Sequence, residues 1–125
     1  MRRQKLSTVL LSAVGSAKNK HKVNLAGLCV KEIEDTKTDK NGNPFRPGKI
    51  LDSSGCVCNF MVWGVLSLAD EVWIEDAIID VMNVEVNSTA KRLDFRAFSQ
   101  VARASMTTPF RKPRKLHMLA WKGSS

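Results

Sequence analysis

"GKILDSSGCVCNFMVWG", residues 48–64, decides the fold. The apolar and β-branched residues on either side of "SSG" read as strand, tight turn and strand, because Ser and Gly supply turn geometry while the flanks suit a pleated surface. On the returning stretch, 56–63, alternation puts Cys56, Cys58, Phe60 and Val62 on one face and Val57, Asn59, Met61 and Trp63 on the other. Both faces are largely apolar, so one side meets a core and the other a cover or a ligand. The cysteine face is the more core-like, and Phe60 is expected to be buried on it. Trp63, which shares its face with Asn59, is a candidate for the floor of a groove.

Upstream, "KVNLAGLCVKEIED", 22–35, reads as a long strand whose interior Gly27 marks a bulge or bend. "TKTDKNGNPFRPG", 36–48, is dense in turn residues and is expected to be a loop carrying Phe45. Downstream, "GVLSLAD", 64–70, suits a short helix, and "EVWIEDAIIDVMNVEVN", 71–87, has long β-rich character with Trp73 as a plug. After the "STAK" turn, "RLDFRAFSQVA", 92–102, sets Leu93, Phe95 and Ala97 against Asp94, Arg96 and Phe98, with Phe98 looking outward. A coiled first strand, a hairpin, a short helix and two further strands give an all-β (mainly β) chain. That order is the five-stranded OB-fold Greek-key barrel, whose closure removes exposed sheet edges. Helical or irregular extensions are expected at both ends, including a short helix or mobile segment at "KLHMLAWK".

"KVNLAGLCVKEIEDT", "GKILDSSGCVCNFMVWG", "EVWIEDAIIDVMNVEVN" and "RLDFRAFSQVARAS" resemble the successive strands of single-stranded-DNA-binding OB domains of the replication protein A and telomere end-protection kind. "VNLAGLCV" is similar to the opening strand of the protection-of-telomeres family, and "LDSSG" resembles that family's turn between its second and third strands. "WIEDAIIDVMNV" looks like its fourth strand, although "ADEV", 69–72, stands where a Gly-Asp is usual. The resemblance implies a single-stranded nucleic-acid-binding protein in the nucleus, DNA before RNA, with telomeric DNA as the finer target.

The 125 residues are one domain's length. They divide into a basic lead-in, 1–21, the barrel, 22–104, and a basic C-terminal extension, 105–125. Residues 1–22 carry six basic side chains and no acid, and so do residues 103–125. The stretch between them holds 8 basic and all 12 acidic residues, a net charge of −4. Basic flanks suit a polyanion, since Lys and Arg release counterions from phosphates. "MRRQKLSTVLLSAVGSA" has the outline of a secretory leader, but Ser7, Thr8 and Ser12 interrupt its apolar run. The odd cysteine count, Cys29, Cys56 and Cys58, fits a reducing interior better than secretion. No apolar run approaches the roughly 20 residues of a membrane span, so no membrane partner is expected.

The spacing "CVC" lacks the paired knuckles of a zinc site, and His21 and His117 have no triad-type partners. No cofactor, metal or enzymatic activity is therefore expected. In OB barrels the ligand crosses the second and third strands between two loops, here 36–48 and 87–91. Lys37, Lys40, Arg46, Lys49, Lys91 and Arg92 would meet phosphates there, with Arg96 on the fifth strand. Phe45, Trp63 and Phe98 would stack bases, which contributes about 1–3 kcal/mol per base. The same aromatics would serve RNA. A protein-interaction subunit, docking on a larger partner through its C-terminal extension, is the alternative.

Overall fold

A computed structural model describes residues 7–104 and 110–122. Arg2, Arg3 and Lys5 of the basic lead-in lie outside the described residues. The chain forms α1 (Leu11–Val14), β1 (Lys22–Ile33), β2 (Lys37–Thr38), β3 (Pro44–Leu51), β4 (Cys56–Trp63), a 3-10 turn (Gly64–Leu68), β5 (Ile78–Asn87), β6 (Arg92–Phe95), β7 (Gln100–Arg103) and β8 (His117–Met118). The strand order β3-β1-β5-β6-β4 returns to β3 through the β3–β4 pairing, which closes a five-stranded barrel. The β4–β6 seam is parallel, with Phe60 opposite Leu93 and Val62 opposite Phe95.

β1 coils because it serves two neighbours. Its first part, Lys22 to Cys29, pairs with β5, and from Cys29 to Ile33 it pairs with β3. The register with β5 shifts between Leu25 and Leu28, where Gly27 takes a φ of +66 that few side chains tolerate. The freed Gly27 amide donates to Asp80 Oδ1 at 2.8 Å.

Four sequence expectations need correction. Residues 44–48 are strand rather than loop, so Phe45 and Arg46 stand on β3 opposite Trp63 and Val62. Prolines made the segment look irregular, but the ladder to β1 stops at Gly48 opposite Ile33. Beyond it Pro47 needs only its carbonyl, which accepts the Glu34 amide at 3.0 Å. Second, β5 begins at Ile78, and the residues before it are turns that drive Val72 and Trp73 into the barrel. Third, the segment 92–102 is two strands broken by a turn in which the Ser99 amide donates to the Arg96 carbonyl at 2.9 Å. Fourth, the C-terminal extension docks as a strand and not a helix: β8 runs parallel to β4, with His117 opposite Cys56 and Met118 opposite Val57.

The core follows the alternation read from β4. Cys56, Cys58, Phe60 and Val62 all point inward. Phe60, Trp73 and Phe95 meet at ring separations of 5.3–5.5 Å, and the Trp73 indole satisfies its N–H on the Leu66 carbonyl at 2.8 Å. Both flanks reach this core, Leu11 and Val14 from α1 and Leu119 beyond β8. Phe110 covers a second cluster of Cys29, Leu51 and Val57. Burial, together with the neighbouring Cys56, pushes the Cys58 thiol up to about 12. It raises the thiols of Cys29 and Cys56 as well, aided by Asp76 and Asp52 respectively.

Candidate nucleic-acid interface

The outward residues of β3, β4 and β6 converge at the Trp63 end of β4. Phe45 and Trp63 are register partners on β3 and β4, with ring centroids 5.7 Å apart. On β6 the outward positions are Arg92 and Asp94, and Arg96 follows directly after the strand. The Cζ atoms of Arg92 and Arg96 stand 5.8 and 5.4 Å from the Trp63 ring centroid.

Asp94 organises this group. Its side chain is fully buried, although it points to the outside of the barrel. Oδ1 accepts from Trp63 Nε1 at 3.1 Å and from Arg92 Nε at 2.8 Å, while Oδ2 accepts from Asn87 Nδ2 at 3.0 Å and Arg96 Nη2 at 3.4 Å. Four donors fill the acceptor capacity of one carboxylate. A buried charge so fully satisfied fixes its partners, because each donor that moves away leaves one of its acceptor positions unmet. The indole is therefore held at a set angle, and the two guanidinium groups are held beside it.

The strand faces beside this cluster form a groove of about 300 Å³, lined among others by Glu32, Glu34, Lys49, Asn59, Met61 and Arg92. Lys49 lies 3.7 Å from Glu32, and Lys37 lies 2.9 Å from Glu34, so the groove's β1 side is close to electrically neutral. Excess positive charge collects instead around Arg92, Arg96 and the exposed Lys91, which sits in the turn between β5 and β6.

The expected residues thus separate. Phe45, Trp63, Arg92 and Arg96 form one cluster, and Lys49 lines the adjoining groove. Lys37 and Lys40 are exposed and do not line the groove, although Lys37 is paired with Glu34, which does. Arg46 shares the inward alternation of Gly48 and Ile50; its side chain is 11% exposed and is committed to the Glu34 carbonyl at 2.7 Å and Asp70 Oδ1 at 2.9 Å. It ties the residues that follow β1 to the 3-10 turn and its exit. Phe98 sits apart in the turn between β6 and β7, with Lys22 Nζ 4.2 Å from its ring centroid. Asp94 and Asn87 were not singled out in the sequence, although "RLDFR" carries the signal: an acid between two arginines at alternate positions on one strand face.

No family model and no curated protein matches the chain by sequence. Its structure is similar to several solved ones. A replication protein A heterotrimer bound to ssDNA aligns with a TM-score of 0.67 at 14% identity, covering 86% of this chain and 27% of that one. The fold is that of an OB domain. The OB domain of Ta0387 from Thermoplasma acidophilum aligns at 0.54 and 13% identity, covering 77% and 87% of the two chains. The Ifi202 HINa domain, solved in complex with 20bp dsDNA, aligns at 0.62 and 11% identity over 76% of this chain and 47% of its own. This OB barrel spans about a quarter of the matched replication protein A chain and about half of the HINa domain.

Proposed function

We propose that this OB barrel binds single-stranded nucleic acid, DNA first, on the face built by Phe45, Trp63, Arg92 and Arg96. The observation that carries the reading is the fixed indole of Trp63, set by Asp94 between two guanidinium groups and against a second ring. Unstacked bases present flat faces to such rings, whereas a duplex keeps its base faces covered. The arginines supply phosphate contacts that bear little sequence information. The role is binding, with no chemical step. A reducing compartment such as the nucleus suits the free thiols of Cys29, Cys56 and Cys58. A telomeric target rests on the likeness of "VNLAGLCV" and "LDSSG" to end-protection domains.

Fluorescence anisotropy with labelled single-stranded DNA, the same sequence as RNA, and duplex DNA at two salt concentrations tests the reading. Single strands are expected to bind well above duplex, and Trp63→Ala to weaken them by about 1–3 kcal/mol. A G-rich telomeric repeat compared with a shuffled sequence then tests the finer assignment. Stronger binding of duplex, as in the complex of the HINa neighbour, would overturn the single-strand reading.

A further inference from the structure

Phe98 and Lys22 have no part in the groove, yet they lie at the end of a continuous row across the outside of the barrel. Trp63 stands beside Arg96, whose Nε is 3.6 Å from Glu85 Oε1. Glu85 is the register partner of Lys22 on β1, and Lys22 lies over the ring of Phe98. Each step moves one strand further, from β4 to β6 to β5 to β1, or about 14 Å in all at the usual strand spacing.

The row has the composition of a nucleic-acid path, a ring at each end with cations between. Its acids do not oppose a polyanion strongly. Asp94 is fully buried and Glu85 has a side chain 18% exposed, and each is engaged by arginine. Phe98, by contrast, is 41% exposed in a turn that Ser99 pins independently, its Oγ accepting the Arg96 amide at 3.0 Å and donating to the Asn83 carbonyl at 2.7 Å. An exposed ring on a rigid turn, next to a lysine, is a second place for a base to stack.

We infer that the bound single strand turns over Trp63 and continues across Arg96 to a second stacking station at Phe98 and Lys22, leaving the charge-neutral β1 side of the groove. The inference rests on the proposed single-strand binding at Trp63 and extends it to a longer footprint.

The test is affinity against length, using oligothymidylates of about 4 to 16 nucleotides, the span of site sizes for OB folds. Wild type, Trp63→Ala, Phe98→Ala and Lys22→Gln are compared. Trp63→Ala is expected to weaken every length. Phe98→Ala is expected to leave the shortest oligomer at wild-type affinity and to weaken the longest about tenfold. Lys22→Gln, a milder surface change, is expected to lower the salt dependence of the longest oligomer alone. If Trp63→Ala weakens binding while Phe98→Ala and Lys22→Gln match wild type at every length, the second station is refuted and the Trp63 site stands. Equal loss at every length on Phe98→Ala also refutes a separate station. If Trp63→Ala has no effect, the single-strand reading falls and the inference falls with it.

Discussion

At its Cys56 end β4 is sealed, because β8 pairs with Cys56 and Val57 while Leu119 enters the core; at its Trp63 end the same strand leaves a ring partly open among two arginines. The sealing depends on close backbone approach. A side chain at Gly55 would strike the Lys115 carbonyl, and one at Gly15 the Ala120 carbonyl. The open end depends on a carboxylate that faces outward and is nonetheless buried. One strand thus shows two uses of a barrel end: apolar closure where the chain covers itself, and a fixed polar cluster where a partner can approach.

The strongest way to break the comparison is to remove the carboxylate. Asp94→Ala leaves two guanidinium groups and an indole N–H without their acceptor, and thermal or urea unfolding should show a loss of about 3–5 kcal/mol. Asp94→Asn, which keeps the shape, should lose less stability yet still weaken oligonucleotide binding. Next in size, Gly55→Ala meets both a φ of +96 and the Lys115 carbonyl. It should destabilise the barrel by about 1–3 kcal/mol, with single-strand affinity unchanged at temperatures where the protein is folded. A fall in affinity as large as that of Trp63→Ala would erase the distinction between the two ends.

The sealed end also makes the smaller, pH-dependent prediction. Cys58 has its folded pKa raised to about 12, so the fold retains a proton that the unfolded chain gives up. Stability is therefore present below the ordinary thiol pKa of about 8.5 and falls as pH rises from there toward the folded value. Melting curves of wild type and Cys58→Ala at pH values from about 7 to about 11 should converge as pH rises. A constant gap would contradict the burial argument.

The fold was legible where alternation is strict. Cys56 to Trp63 divided its faces as read, and Gly27 marked the bend of β1. It was less legible where local chemistry was overruled by partners. Pro44 and Pro47 mimic a loop; the strand tolerates Pro44 because it is the first residue of β3, and Pro47 because the β1 ladder ends at Gly48. "KLHMLAWK" has no periodicity that would distinguish a helix from a strand; the unpaired edge of β4 decides it. At the site, sequence marked Phe45, Trp63, Arg92 and Arg96 as separate candidates, but joining them required the parallel β4–β6 seam, which no local pattern encodes. Arg46 looked like a phosphate contact because its neighbours looked like a loop.

The three tryptophans report on the two ends and the core at once: Trp63 in the open cluster, Trp73 inside the barrel, and Trp121 packed beside the docked C-terminal strand. Titrating 15N-labelled protein with a single-stranded oligonucleotide and following the indole N–H resonances tests the central claim most directly. The Trp63 signal is expected to shift with saturation while Trp73 and Trp121 stay in place. A shift of Trp121 with Trp63 unmoved would put the partner on the sealed end and contradict it.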